Sequence, residues 1–500
     1  MQKPRLLIFI VAYHAEATIE IVLQRIPGKL NEKFHIEVLV IDDASSDNTF
    51  EVSQKISASG TLPFHTVVLF NPVNLGYGGN QKIGYHYAIK NGFDYVALIH
   101  GDGQYAPECL ENLLFPFFDQ AADAVFGSRM FNSKDALKGG MPYYKYYGNR
   151  MLTKFQNFLL DSALTEFHSG YRIYSICALK DIPFELNTND FHFDTEIIIQ
   201  LMLAKKKIVE LPIPTYYGNE ICRVNGIKYA FDVVKAVLLS RLQSLGILYC
   251  PNFDCAVHGN EQYQLKLGYT SPHQEAANYI RENSNILDLG AAGGYLARKL
   301  SINKGCKVTA VDMYPIDNLD GLSEAIEHNL NNGPPVLGYE GYNHILLLDV
   351  LEHLHHPEEF LKQLRVAVQA NQNIRILAST GNIGFFIPRI MLLLGEFNYG
   401  KRGILDITHT RLFTFQSFKK LFSQNGFEIE KVVGIPGPFP LVLKNKFVGH
   451  LLIKLNKIAI SINKGLFSYQ IFLIVKAVPT VDYLLLKSIG ESESRKKELS

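Results

Sequence analysis

The chain has 500 residues with 49 basic and 48 acidic side chains, a balance that excludes a nucleic-acid surface built on net charge. Hydrophobic residues make up 47% and aromatics 12%, with a mean hydropathy of +0.03, which fits neither a disordered chain nor a multi-span membrane protein. That length exceeds a single hydrophobic core, so two domains are expected, and six irregularly spaced cysteines suit a reducing, cytoplasmic setting.

Residues 6–12 form an apolar run that reads as a buried strand rather than a signal peptide, because it flows into Tyr13-His14-Ala15-Glu16 instead of a cleavage site. No run reaches the roughly 18 apolar residues of a spanning helix. A second strand, 35–41, ends in Asp42-Asp43-Ala44-Ser45-Ser46-Asp47-Asn48-Thr49. Short polar side chains there can cap the next helix, and Asp42 and Asp43, directly at the strand end, are placed to meet a base or ribose. A strand at 67–70 leads into the turn Asn74-Leu75-Gly76-Tyr77-Gly78-Gly79-Asn80 and a helix. Its glycines allow close backbone approach to a nucleotide, and a helix N-terminus favours anions. The fourth strand runs into His100-Gly101-Asp102-Gly103-Gln104. A carboxylate at that edge of an open α/β sheet can hold Mg²⁺ or Mn²⁺ bridging two phosphates, the alternative being a plain Asp-Gly turn.

Strand–helix alternation at this rhythm implies a doubly wound sheet. With VAYHAEATI, IDDASSDNT, NLGYGGNQKIG and HGDGQY in order, followed by Gly127-Ser128-Arg129, Ser169-Gly170-Tyr171-Arg172, Phe193-Asp194-Thr195-Glu196 and Arg223 to Lys228, residues 4–245 resemble family-2 glycosyltransferases of the GT-A fold, in particular the dolichol-phosphate mannose synthase type. The resemblance implies inverting sugar transfer from a nucleotide-sugar donor to a glycan or polyprenyl-phosphate acceptor at the inner face of a membrane. It assigns Tyr13, Asp42, Asp43, Gly76, Gly78, Asp102, Gln104, Arg223 and Lys228 to the nucleotide sugar, with Asp102 on the metal. Two departures stand out: His100 replaces the acid that usually sits two residues before the metal-binding Asp, and RVNGIK shortens the basic motif. A lipid-phosphate acceptor needs no general base, whereas a hydroxyl acceptor does, and Asp194 or Glu196 is the candidate. The competing reading makes these two a solvent-facing pair at a helix N-terminus. Residues 143–160 carry aromatics with Lys145, Arg150 and Lys154, and are expected to form an amphipathic helix packing its aromatics inward, with peripheral contact to a bilayer as the alternative.

Residues 246–269 read as a linker, in which Cys250, Cys255 and His258 make a poor zinc set. Beyond it, strand 285–290 breaks into Gly290-Ala291-Ala292-Gly293-Gly294 before a helix, and strand 306–311 ends in Asp312, 24 residues after Asp288. Glycines for close approach followed by an acid for ribose hydroxyls make a dinucleotide-type layout. Strand 344–350 then reaches Asp349-Val350-Leu351-Glu352-His353-Leu354-His355-His356-Pro357. This stretch, with ILAST, GILDITHTRLFT and GFEIEKVVGI after it, resembles class I S-adenosylmethionine-dependent methyltransferases over residues 270–480. The resemblance implies a Rossmann-like domain with Asp288, Gly290, Gly293, Gly294, Asp312, Asp349 and Glu352 at the cofactor. Ala292 replaces a usual glycine. Methyl transfer to a hydroxyl needs a base, for which His409 with Asp406 is the candidate, the alternative being a cap on a lid helix. Residues 441–463 mix aliphatics with lysines and suit a packing helix or an anionic membrane surface, and 481–500 reads as a charged tail whose end, 491–500, is expected to be disordered. The whole reads as a bifunctional enzyme that builds and O-methylates a surface glycan. Its rivals are a methyltransferase acting on an unrelated small molecule and a degenerate docking domain.

Overall fold

Continuous apolar runs form the centre of both sheets in the computed structural model, which describes residues 3–216, 224–244, 248–255, 269–316, 320–439 and 446–499. The chain divides into two compact units, Met1–Gln243 with Cys250–Gly259, and Ser244–Tyr249 with Asn260–Ser500.

The first unit holds β1 (Arg5–Ala12), β2 (His35–Asp42), β3 (His65–Phe70), β4 (Tyr95–His100), β5 (Ala124–Ser128), β6 (Arg172–Ser175) and β7 (Ile208–Pro212) in the order β3-β2-β1-β4-β6-β5-β7. β1 to β4 are parallel, and β6 runs antiparallel to both its neighbours. Leu6 through Ile10 are fully buried, which is why β1 shows no alternation of polar and apolar residues: a central parallel strand is covered on both faces. One cover is the helix Gly76–Lys90, where a Cβ on Gly84 would sit 2.2 Å from the Phe9 ring, so glycine lets the helix lie close to the sheet. The register sets Ala12 beside Asp42 and Val11 beside His100. Three strand ends thereby meet at one edge.

The second unit holds β8 (Asn285–Leu289), β9 (Lys307–Asp312), β10 (Glu324–Glu327), β11 (His344–Leu348), β12 (Arg375–Gly381), β13 (Phe427–Ile435) and β14 (Gln470–Ala477), ordered β10-β9-β8-β11-β12-β14-β13. The first five in that order are parallel, while β14 is antiparallel to β12 and β13. The two units are therefore mixed α/β sheets of seven strands each.

Two expectations need correction. On the helix Tyr143–Leu160 the side chains of Tyr143, Tyr144, Tyr147, Met151 and Phe158 are 64 to 83% exposed, and the buried face is Tyr146, Thr153 and Gln156. Helical spacing specifies faces but not how the aromatics divide between them: Tyr146 and Phe155 pack inward with Leu159, Leu160, Thr153 and Gln156, while the other aromatics face out. Residues expected to be a disordered tail lie in the helix Val481–Leu499, whose Leu, Lys, Glu and Arg residues have high helix propensity. Cys255 is a free thiol pushed up to about 12 by burial, which disfavours the thiolate that zinc needs, and His258 is outside the described residues.

Candidate active sites at two sheet edges

At the first edge, Asp42 is fully buried at the end of β2. Its Oδ1 accepts from the Ser45 amide at 3.1 Å and the Ser45 hydroxyl at 2.5 Å, while its Oδ2 is buried without a partner among the described residues. Burial raises its pKa. Tyr13 stands exposed at the end of β1, its ring edge-on to His14 at 4.3 Å. Asp102 is exposed on the turn after β4, where its Oδ1 accepts the Gln104 amide at 3.0 Å. That leaves Oδ2 open to a hard cation, and Mg²⁺ or Mn²⁺ commonly takes one or two carboxylates plus substrate phosphate. The residues fit the ion expected there.

Asp43 does a different job from the one its position suggests. Its carboxylate accepts the amides of Leu75 and Gly76, each at 2.9 Å, and the Asn71 side chain at 2.8 Å. The glycines of the turn likewise serve the chain itself. The Gly78 amide donates to Asn189 O at 2.8 Å, and a Cβ on Gly76 or Gly78 would sit 2.6 or 2.5 Å from the carbonyl oxygen of Asn189 or Thr188. The backbone that Gly76 and Gly78 admit is that of residues 188–189, and the anion at this helix N-terminus is Asp43.

Asp194 and Glu196, on the helix Phe193–Leu203, are 6 and 8% exposed, so neither faces solvent. Asp194 accepts from the Tyr77 hydroxyl at 3.0 Å and Gln81 at 3.2 Å, with the buried Arg172 guanidinium 3.5 Å away. Glu196 accepts the Thr188 amide at 2.6 Å and steadies the same loop that fills the glycine turn; burial raises its pKa. Sequence reasoning missed Tyr77, Gln81 and Arg172 as the group holding Asp194. Nearby, Arg129 pairs with the buried Glu166, which also accepts from Asn149 at 2.8 Å.

Lys228, exposed in the first turn of the helix Gly226–Ser244, bonds Asp190 at 2.8 Å at the rim of a cavity of about 130 Å³ lined also by His192, Asn225, Tyr229 and Asp232. Asp190, His192 and Asp232 offer ligand atoms within 4.8 Å of one another, a cluster assembled by the fold from residues with no motif spacing. The Tyr229 hydroxyl lies 2.8 Å from His168 Nδ1. Arg223 is outside the described residues.

At the second edge, Gly290 and Gly294 have φ of 79° and 70°, and Ala292 shares that left-handed region at 48°. A Cβ on Gly293 would sit 2.5 Å from the Tyr295 ring. Asp312 accepts the Ala292 amide at 2.8 Å and the Tyr314 amide at 3.0 Å. Asp288, 5% exposed, is raised to about 7 by burial and by the Asp312 charge. Asp349 adopts φ 57° and is held there by Ser379 at 2.6 Å and Gln470 at 2.7 Å. A non-glycine residue persists in that conformation when its surroundings over-determine it, as functional sites often do. Glu352 is 2% exposed with Oε2 unpartnered among the described residues, and burial followed by the Asp349 charge pushes its pKa far up. His409 Nδ1 lies 3.0 Å from Ile404 O, so it is the protonated nitrogen and Nε2 keeps the lone pair. Asp406 does not pair with that ring; its Oδ1 accepts the amide and hydroxyl of Thr408 at 2.9 and 2.7 Å. His353 packs edge-on against His409 at 4.8 Å.

These two edges belong to a transferase with two α/β domains. Residues 7–182 match the family model described as glycosyl transferase family 2, and residues 261–432 match that of a methyltransferase domain. The chain thus carries a family-2 glycosyltransferase domain followed by a methyltransferase domain. It is 26% identical over 246 residues to the UDP-N-acetylglucosamine–dolichyl-phosphate N-acetylglucosaminyltransferase of Methanococcus voltae, covering 47% of this chain and 95% of that one. It is 27% identical over 222 residues to the undecaprenyl-phosphate mannosyltransferase of Micrococcus luteus, covering 43% of this chain and 85% of that one. A crystal structure of glucosyl-3-phosphoglycerate synthase from Mycobacterium tuberculosis aligns with 47% of this chain and 80% of its own at 17% identity and a TM-score of 0.36.

Proposed function

We propose that the first domain transfers a sugar, with inversion, from a nucleoside-diphosphate donor to a polyprenyl-phosphate or lipid-linked glycan acceptor, and that the second methylates a hydroxyl of the resulting glycan. The observation that carries the first half is the edge where the buried, unpartnered Asp42 Oδ2 accompanies the exposed Asp102. A nucleotide base supplies the N–H that Asp42 lacks, and a buried acceptor without a donor costs about 1–3 kcal/mol until one arrives. Asp102 would hold Mg²⁺ or Mn²⁺, which when bound offsets charge on the departing diphosphate. Lys228 and Arg223 add positive charge for the same phosphates. A phosphate acceptor is already an anion, and the two acids first expected as bases, Asp194 and Glu196, are committed to internal donors. An anionic acceptor suits a site of that kind. The related enzymes that act on dolichyl and undecaprenyl phosphates point to the same acceptor class.

No helix among the described residues is long and apolar enough to cross a membrane. The exposed aromatics of Tyr143–Leu160, with Lys145, Arg150 and Lys154 on the same helix, suit peripheral contact with a lipid surface that presents the acceptor.

In the second domain, Asp288, Asp312 and the turn 290–294 would bind S-adenosylmethionine, with Asp349 and Glu352 beside it. Bound there, it supplies an electrophilic methyl group. His409 Nε2 takes the proton of the attacking hydroxyl, and the Ile404 carbonyl fixes the tautomer that allows this.

The test is calorimetric titration of the full chain with S-adenosylmethionine, and with UDP and GDP in the presence of Mn²⁺. It is followed by incubation with undecaprenyl phosphate vesicles, a panel of labelled UDP- and GDP-sugars, and methyl-labelled S-adenosylmethionine. Sugar label and then methyl label in the lipid phase are expected. Sugar in the lipid without methyl label would sink the coupling of the two reactions, and no nucleotide binding would sink the donor assignment.

A further inference from the structure

The Tyr77 hydroxyl has one proton and two partners, Asp194 Oδ2 and His100 Nε2, each at 3.0 Å. Asp194 also receives an N–H from Gln81 and stands 3.5 Å from the Arg172 guanidinium, so it is the acceptor and Tyr77 donates to it. The tyrosine oxygen must then accept from His100, which places the imidazole proton on Nε2. Nδ1 keeps its lone pair. Among the described residues no hydrogen bond uses that nitrogen. That lone pair belongs to the neutral ring, the form in which an imidazole ligates a metal.

The ring is also fixed in direction. Tyr105 packs edge-on at 4.9 Å and Tyr77 at 5.4 Å, and a Cβ on Gly170 would come within 2.4 Å of Nε2. A neutral imidazole that donates one N–H to an oxygen and leaves the other nitrogen open is the arrangement metal-binding histidines adopt. Here it ends β4, two residues before Asp102.

We propose that His100 Nδ1 and a carboxylate oxygen of Asp102 together hold the divalent cation, making a mixed nitrogen–oxygen site that selects Mn²⁺ or Co²⁺ over Mg²⁺. The inference rests on the nucleotide-sugar reading of this edge. Imidazole favours first-row transition metals, whereas Mg²⁺ favours an all-oxygen shell. Tyr77 is then a positioning residue, holding the tautomer.

The decisive experiment is electron spin-echo spectroscopy of Mn²⁺ bound to the full chain with UDP or GDP. Nitrogen modulation from a directly bound imidazole is expected, and it disappears in His100→Asp. Calorimetry on the same proteins is expected to give Mn²⁺ at least about tenfold tighter binding than Mg²⁺, a preference that His100→Asp erases. Tyr77→Phe is expected to weaken Mn²⁺ about tenfold or more while the melting temperature reports an intact fold. A Mn²⁺–nucleotide complex with no nitrogen modulation overturns the proposal, as does an unchanged metal preference in His100→Asp. If neither Mn²⁺ nor nucleotide binds, the nucleotide-sugar reading falls with it. Should His100→Asp fail to fold, the spectrum of the unaltered protein still decides.

Discussion

Each domain sets an acid at the end of its second strand to grip the backbone of a glycine turn, but Asp43, just past β2, serves the turn after β3 whereas Asp312, closing β9, serves the turn after β8. In the first domain the turn is already occupied: Asp43 takes two amides and an amide side chain, and the carbonyls of Thr188 and Asn189 fill the space the glycines leave. In the second, Asp312 takes two amides and is itself only half-buried. The same sequence device is thus internal scaffolding in one domain and remains accessible in the other.

Removing the two acids gives the largest expected contrast. Asp43→Ala removes the acceptor of the Leu75 amide and the Asn71 side chain at a site that is 4% exposed, while the Gly76 amide keeps Asn74 Oδ1 at 3.1 Å. Hydrogen bonds to charged groups are worth about 1.5–3 kcal/mol each, so a loss of about 3 kcal/mol or more is expected in chemical denaturation of the first domain. Asp312→Ala is expected to cost about 1 kcal/mol of stability, since water reaches its amides, yet to weaken S-adenosylmethionine about 100-fold by calorimetry. Equal stability losses would refute the distinction.

The next contrast concerns proton transfer. His409→Gln is expected to slow methyl transfer by about 10²-fold or more while leaving cofactor affinity within about twofold, because a positioned base typically contributes 10²–10⁴. Asp406→Asn is expected to do far less, since that carboxylate bonds Thr408 rather than the imidazole. Nothing comparable is expected from Glu196→Gln on sugar transfer to a phosphate acceptor.

Charge burial separates the domains by pH. Asp288 titrates near 4 when unfolded and at about 7 when folded, held up by burial and by Asp312 across the sheet. Between those values the folded state binds more protons, so this group's contribution makes stability fall as pH rises from 4 to 7 and level off above. Asp288→Asn is expected to remove that slope, gaining on the native protein by at most about 4 kcal/mol between pH 4 and pH 8. In the first domain His168 is lowered to about 4 by burial, so its contribution is lost as pH falls from 6.5 toward 4, the opposite direction. Melting curves of Asp288→Asn and His168→Gln against pH, beside the native protein, would expose both slopes.

What the sequence made legible was whatever is local along the chain. Strand ends carry their acids with them, so Asp42, Asp102, Asp288 and Asp312 could be placed from strand-plus-turn patterns alone. Partners brought together by the fold could not: Tyr77 lies 117 residues from the Asp194 it bonds, and Gln470 lies 121 from Asp349. The occupant of the glycine turn was hidden for the same reason. Glycine announces a close approach without naming what approaches. Helical periodicity similarly located the helix Tyr143–Leu160 but was silent on which face its Thr153 and Gln156 would bury.

The smallest expected effect bears on whether the second domain is a working cofactor fold. Ala292 stands where the related motif has glycine, at φ 48°, a conformation that costs a residue with a Cβ about 1–2 kcal/mol. Its amide is nevertheless in place, donating to Asp312 at 2.8 Å, so the turn has been kept in shape rather than allowed to relax. Ala292→Gly relieves the strain but frees the unfolded chain by about 0.4–1 kcal/mol, and the two nearly cancel. A net gain of at most about 1 kcal/mol in stability is expected, with S-adenosylmethionine affinity unchanged or slightly improved. A large rise in affinity from this one substitution would mean that the native turn had drifted from cofactor binding, and the docking-domain alternative would then stand in place of the methyltransferase.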